Sequence, residues 1–254
     1  MSKILELLEL SKSVASQAGT RLLEDFGQEH RNYVYSNEQP KEIKALADTV
    51  LEKDILDGLS SSRLPILSEE SGYIPGQKET EYLFIVDPLD GTFNFVKGLG
   101  PSAVSIALWK DGIPIFGVIY DLSEGKLYWG GNGMGAYCVN QQLSVSNVSI
   151  KSEASICTGF PVRFEIDNDT ATKKFWQLIS PFAKVRMLGA ATVSLLNVAK
   201  GVADVYAEQN IMIWDVAAGI AIVEGAGGTV HSHLGKIEHS LCVYASNHLL
   251  SDQP

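Results

Sequence analysis

Apolar residues recur every three to four positions between Ser2 and Phe26, at Ile4, Leu5, Leu8, Val14, Ala15, Ala18, Leu22 and Leu23. That spacing predicts an amphipathic helix. Glu6, Glu9 and Lys12 interrupt the run, so it reads neither as a signal peptide nor as a membrane span, and a cytoplasmic protein is expected. The polar stretch from Gln28 to Lys41 reads as a loop, and a second helix is expected from about Ala47 to Leu59. Short apolar runs then predict strands at Leu64–Leu67, Tyr82–Val86, Ala103–Trp109, Pro114–Tyr120, Lys126–Gly130 and Gly135–Val139. Lys110-Asp111-Gly112 and Gly131-Asn132-Gly133 supply turn residues for two hairpins. The second of these lacks the lysine of a phosphate-binding loop. Up to about residue 145 the chain reads as helices on one side of an antiparallel sheet.

The remainder alternates. Strands are expected at Ala154–Gly159, Lys184–Leu188, Ala203–Tyr206 and Leu241–Ala245, with helices at Thr170–Ser180, Ala191–Lys200 and Trp214–Ala226. Such alternation predicts an α/β layer. The chain is therefore expected to be α+β in residues 1–147 and α/β in residues 148–254, packed as one unit.

Composition narrows the class. With 254 residues and 45% hydrophobic positions the chain can bury a large core, which excludes a disordered or low-complexity protein. Its 30 acidic against 20 basic side chains leave a net charge of −10, so neither nucleic acid nor a membrane surface is expected as partner. Three cysteines, Cys138, Cys157 and Cys242, show no CxxC spacing, which argues against a disulfide framework and a thiolate zinc site. His231-x-His233 reads as a surface pair near a turn, since no third ligand stands beside it. Trp109, Trp129 and Trp176 read as packing residues.

The acidic residues have a pattern of their own. Glu69 and Glu70 follow the predicted strand 64–67, Asp87 closes the strand 82–86, Asp90 stands three residues on, and Asp215 opens a helix. Carboxylates at element ends can converge on one crevice. An all-oxygen set favours a hard cation, Mg²⁺ or Mn²⁺, and the Leu89 carbonyl offers a further ligand. After Asp87-Pro88-Leu89-Asp90, Gly91 allows a bend whose following N–H groups can face an anion. Asp48, on the second helix, could orient a water or the Thr92 hydroxyl. Each fragment alone has an ordinary structural explanation; together, in this order, they favour a metal and phosphate site.

Three blocks carry a resemblance: Leu67-Ser68-Glu69-Glu70-Ser71, Asp87-Pro88-Leu89-Asp90-Gly91-Thr92-Phe93-Asn94-Phe95, and Trp214-Asp215-Val216-Ala217-Ala218-Gly219 continuing to Gly228. Together they resemble the inositol monophosphatase family of metal-dependent, lithium-sensitive phosphatases. The resemblance implies a five-layered αβαβα sandwich and, commonly, a homodimer. It implies two or three Mg²⁺ ions on Glu69, Asp87, the Leu89 carbonyl, Asp90 and Asp215, with Glu70 near the water that attacks phosphorus in line. Gly91 and Thr92 would hold the phosphate of a small phosphorylated substrate, with Thr92 paired to Asp48. Gly189, Ala190, Ala191, Glu208 and Asp215 would meet the rest of that substrate. Ala45, Ala190, Phe93 and Lys97 depart from frequent family residues and leave the substrate open. It could be a sugar or cyclitol phosphate, fructose 1,6-bisphosphate or 3′-phosphoadenosine 5′-phosphate. A regulatory protein retaining the fold is the reading of another class.

Overall fold

Helix α1, Lys3–Asp25, buries Leu8, Ala15, Ala18 and Leu22, as its periodicity predicts. The computed structural model containing it describes residues 3–25, 33–35, 43–77, 79–160 and 169–251. Strands β1 (Tyr33–Tyr35) and β2 (Ile43–Ala45) pair antiparallel. The polar stretch expected to be a loop thus contains a strand at Tyr-Val-Tyr, where aromatic and β-branched residues favour extended backbone. Its remainder, Lys41 included, lies outside the described residues. Helix α2, Leu46–Leu59, buries Leu51, Ile55 and Leu59 on the face that also carries Asp48 and Glu52.

The first sheet comprises β3 (Ile66–Ser68), β4 (Gly72–Ile74), β5 (Tyr82–Asp90), β6 (Ala103–Lys110), β7 (Ile113–Asp121), β8 (Lys126–Gly131), β9 (Gly135–Cys138) and β10 (Gln141–Gln142). Its order is β10-β9-β8-β7-β6-β5-β3-β4, and a short helix, α3 (Thr92–Lys97), leaves the end of β5. Only β3 and β5 run parallel in it. Between β6 and β7, Lys110 pairs with Ile113, and Asp111 (φ 51°) and Gly112 (φ 77°) form the two-residue hairpin their types predict.

The second sheet holds β11 (Ser155–Cys157), β12 (Lys184–Arg186), β13 (Val205–Met212), β14 (Thr229–Leu234) and β15 (Ser240–Ser246), in the order β12-β11-β13-β15-β14. Helices α4 (Asp169–Ile179), α5 (Ala191–Ala199) and α6 (Ile213–Gly225) accompany it. Alternation along the strands fixes the layers. Phe84 and Val86 of β5 pack with α1 and α2, whereas Ile85 packs with α5 and α6. Leu241, Val243 and Ala245 of β15 face the same α5–α6 layer, while Tyr244 turns outward to Leu178 of α4. The result is the predicted five-layered αβαβα sandwich. Contact between layers is close: a Cβ on Gly117 would lie 2.1 Å from the Ala218 carbonyl oxygen of α6.

Four further expectations are corrected. Strand β5 does not stop at Val86 but continues through Asp87-Pro88-Leu89-Asp90, because a register shift between Asp87 and Asp90 accommodates a proline that cannot donate to the ladder. Strand β13 likewise passes Tyr206 and reaches Met212, with a shift between Glu208 and Ile211. Strand β14 was not foreseen, so His231 and His233 stand in a strand rather than near a turn. Trp176, expected to pack, is 61% exposed. Among the described residues no helix is long and apolar enough to cross a membrane.

Candidate active site

On a regular strand, residues three apart face opposite sides. The bulge in β5 overrides this and brings Asp87 and Asp90 to one place, where Asp215 arrives from the first turn of α6. One carboxylate oxygen from each of the three lies within 4.8 Å of the others. Backbone groups hold them: Leu89 N–H donates to Asp87 Oδ1 (2.9 Å), and Thr192 N–H, in the first turn of α5, donates to Asp90 Oδ2 (2.7 Å). The Thr192 hydroxyl also donates to the Asp215 carbonyl at 2.8 Å, tying α5 to α6 beneath the cluster. Sequence reasoning missed Thr192, because the strand bulge and the docking of α5 on α6, and not a motif, bring it to Asp90 and Asp215.

Glu69 and Glu70 form the turn after β3, and Glu69 is hydrogen-bonded to Asp87. The turn is fixed by Glu52, a buried carboxylate that sequence reasoning missed. It accepts hydrogen bonds from Glu70 N–H (3.2 Å), Ser71 N–H (3.0 Å) and the Ser71 hydroxyl (2.6 Å). A signal existed, because Glu52 lies four residues after Asp48 on the buried face of α2. Glu52→Gln keeps the side chain's shape but weakens charge-assisted acceptance from those N–H groups. It is expected to lower divalent-cation affinity about 10–100-fold, as loss of a supporting partner does at metal sites. Titration of activity with Mg²⁺ measures this, and kcat at saturating metal should change less.

The Thr92 hydroxyl lies 2.9 Å from the Leu89 carbonyl oxygen and 3.3 Å from Asp48 Oδ1, within hydrogen-bond reach of both acceptors. At Gly91 (φ 79°) a Cβ would stand 2.8 Å from the Pro101 carbonyl oxygen, so backbone and space both demand glycine. Asn94, quoted in the motif without a role, donates to the Pro101 (2.9 Å) and Leu188 (2.7 Å) carbonyls and so anchors the chain entering Gly189. Glu208 is buried, accepts from the Tyr206 hydroxyl at 3.1 Å, and abuts Gly159, whose Cβ would lie 2.7 Å from it.

Asp48, Glu69, Glu70, Asp87, Leu89, Asp90, Gly91, Thr92, Gly189, Ala190, Ala191, Glu208 and Asp215 all line one cavity of about 600 Å³. Half-exposed Phe93, Phe160 and Met187 edge it. No Lys, Arg or His is among the described residues lining it. The charge is therefore uncompensated. Asp87 and Asp215 are pushed well above the ordinary aspartate range by loss of water, then by the neighbouring aspartates. Asp90 is pushed up to about 6 by burial, against the N–H groups of Thr192, Ala191 and Gly91 that favour its charged form. Glu69 is raised by desolvation and then by Asp87, Asp48 and Glu70. Its side chain stays accessible to water in the cavity, so crowding of like charge is its firmer cause. Burial pushes Glu208 up to about 7, against the Tyr206 hydrogen bond. Converging hard oxygen donors with excess negative charge fit a divalent cation such as Mg²⁺, and without sulfur or imidazole they do not suit a soft one.

Comparison with known proteins agrees with this architecture. The sequence description of the inositol monophosphatase family matches residues 4–252. A "Fructose-1,6-bisphosphatase/inositol-1-monophosphatase" of Aquifex aeolicus is 31% identical, over 99% of this chain and 95% of its own length. A "Nus factor SuhB" of Pseudomonas aeruginosa is 33% identical over 91% and 87%. The crystal structure of extragenic suppressor protein suhB from Bartonella henselae superposes with a TM-score of 0.83 at 31% identity, covering 98% of this chain and 95% of that one. The chain belongs to the inositol monophosphatase family of phosphoric monoester hydrolases.

Proposed function

We propose that the protein is a Mg²⁺-dependent phosphomonoesterase for a small sugar or cyclitol phosphate, inositol monophosphate foremost, with Mn²⁺ as an alternative ion. One observation carries this: three aspartate oxygens within 4.8 Å of one another, in a cavity lined by no basic side chain among the described residues. A phosphate dianion enters such a cavity only together with cations. Glu69, Asp87, the Leu89 carbonyl, Asp90 and Asp215 would hold two or three of them. Bound there, the ions would supply the positive charge and Lewis acidity that favour attack of water on phosphorus.

The chain's own groups do the rest. The N–H groups of Gly91 and Thr92 cradle the phosphate, and Gly91 leaves the space for its approach. Asp48 and the Thr92 hydroxyl orient the attacking water, while Glu70, fixed through Glu52, is placed to take up its proton. Gly189, Ala190 and Ala191 meet the substrate chiefly through backbone, because the two alanines offer no hydroxyl. Glu208 and Asp215 bind substrate hydroxyls. A cytoplasmic homodimer inhibited by Li⁺ belongs to the same reading.

Three further readings have observations behind them. The name of the Aquifex relative includes fructose-1,6-bisphosphatase, and the Pseudomonas relative is named a Nus factor, which favours a regulatory role. The stretch Leu64-Pro65-Ile66-Leu67-Ser68-Glu69-Glu70 resembles the branch acting on 3′-phosphoadenosine 5′-phosphate, which keeps that nucleotide as a third reading. A phosphate-release panel across cyclitol, sugar and nucleotide phosphates, with and without Mg²⁺, separates them. The expected result is Mg²⁺-dependent release with the highest kcat/KM on inositol monophosphate. A higher value on fructose 1,6-bisphosphate or the nucleotide would move the substrate, and no release from any member would leave the regulatory reading.

A further inference from the structure

We propose that the outer face of the second sheet carries a second metal site, for a zinc-like transition-metal ion, formed by His231, His233 and Cys242. His231 and His233 stand two apart on β14 and so project to one side of the sheet. On β15, Cys242 lies directly opposite His233, and Tyr244 opposite His231. All four line one recess of about 120 Å³, walled also by Leu178 of α4 and Gln209 of β13. Tyr244 belongs to the outer apolar cluster, so His231, His233 and Cys242 stand on the sheet face turned from the aspartate cluster, although Glu208 and Val243 also border the recess. The third ligand is hidden in the sequence because the strand pairing, and not chain proximity, brings it beside the histidines.

Both imidazoles are exposed, and Cys242 is a half-buried free thiol. His233 Nδ1 lies 3.1 Å from the Leu234 carbonyl oxygen. An N–H donated there leaves Nε2 as the lone-pair nitrogen, as a backbone carbonyl does behind many metal-binding histidines. Directly opposed cross-strand residues have Cβ atoms about 4.5–5.5 Å apart, which lets His233 and Cys242 share an ion bound about 2.0–2.3 Å from each. In the structure the three donor atoms stand farther apart than the aspartate trio. Closing the site on an ion therefore requires the two exposed imidazoles to rotate toward Cys242. Two imidazoles and a thiolate leave a fourth position for water or an added ligand. Occupied, the site staples the edge strand β14 to β15, where an unpaired edge is otherwise open to other chains.

Co²⁺ serves as the probe, added to the full chain kept in excess Mg²⁺ so that the aspartate cluster is occupied. The expected result is a thiolate-to-cobalt charge-transfer band that saturates at a single equivalent and is lost on adding Zn²⁺. The aspartate cluster has no sulfur and cannot produce that band. Cys242→Ser should abolish it, as should the double variant His231→Ala/His233→Ala. Both should leave Mg²⁺-supported phosphate release and the circular dichroism spectrum unchanged, which separates loss of the site from loss of the fold. Absence of the band in the unaltered protein, or its persistence in Cys242→Ser or in the histidine variant, would overturn the proposal.

Discussion

Asp90→Asn is expected to lower phosphate release at saturating Mg²⁺ about a thousandfold, or about 4 kcal/mol of transition-state stabilisation, while leaving the fold intact. Asparagine keeps an oxygen that accepts the Thr192 N–H, now at 2.7 Å from Asp90 Oδ2, so α5 stays docked. What is lost is one of three negative charges held within 4.8 Å. The same change should act in the opposite sense on the metal-free protein. With one like charge gone, Asp87 and Asp215 are relieved of a repulsion that raises both. The variant's melting temperature in EDTA at pH 8 should therefore exceed that of the unaltered protein. Near-normal turnover, or a lower melting temperature in EDTA, would contradict the role given to the cluster.

The second large effect is a pH dependence that the cation reverses. In the folded chain Asp90 titrates at about 6, above its ordinary value of 3.8. The folded state therefore holds a proton that the unfolded state has already released. Its contribution is fully favourable below the unfolded value and is lost as pH rises through the folded one. Asp87, Asp215 and Glu69 are raised as well and push in the same direction. From Asp90 alone the full loss is on the order of 3 kcal/mol, of which about 1.4 kcal/mol falls between pH 5 and pH 8. At about 2–4 °C per kcal/mol, metal-free protein should melt several degrees lower at pH 8 than at pH 5. Glu124 acts the other way. Hydrogen bonds from Lys200 and Tyr128 hold it down to about 2, so its stabilisation fades only as pH falls below its ordinary 4.5. The comparison thus belongs above that pH. Mg²⁺ binds the ionised carboxylates and should raise the melting temperature at pH 8 by more than at pH 5, about 2.7 kcal/mol at a hundred times its dissociation constant. A melting temperature that rises with pH in EDTA, or equal Mg²⁺ effects at both values, would contradict this.

The chemistry was more legible in the chain than the geometry that delivers it. Asp87-Pro88-Leu89-Asp90-Gly91-Thr92 announces itself because so few structures need that order of acid, proline and glycine. The bulge that turns Asp87 and Asp90 to one side was not readable, since it depends on how β5 registers with β6. Helices α1 and α2 could be read because their apolar residues follow one period, and α6 because a long apolar run closes on Gly227-Gly228. Strand β14 could not: Thr-Val-His-Ser-His-Leu lacks a clean apolar alternation, and only its pairing with β15 holds it extended. Glu52 was overlooked because its partners are the backbone of Glu70 and Ser71 and the Ser71 hydroxyl, eighteen and nineteen residues away. Residues that act through backbone partners leave little trace in composition or spacing.

The central claim is that this acidic cavity binds phosphate esters through cations held on Glu69, Asp87, Asp90 and Asp215. Its most direct test is the initial rate of inorganic phosphate release from inositol 1-phosphate by metal-stripped protein as Mg²⁺ is titrated in. The account predicts negligible release at the start and a saturable return with added Mg²⁺. Release that is undiminished in EDTA, or absent at every Mg²⁺ concentration, would contradict it.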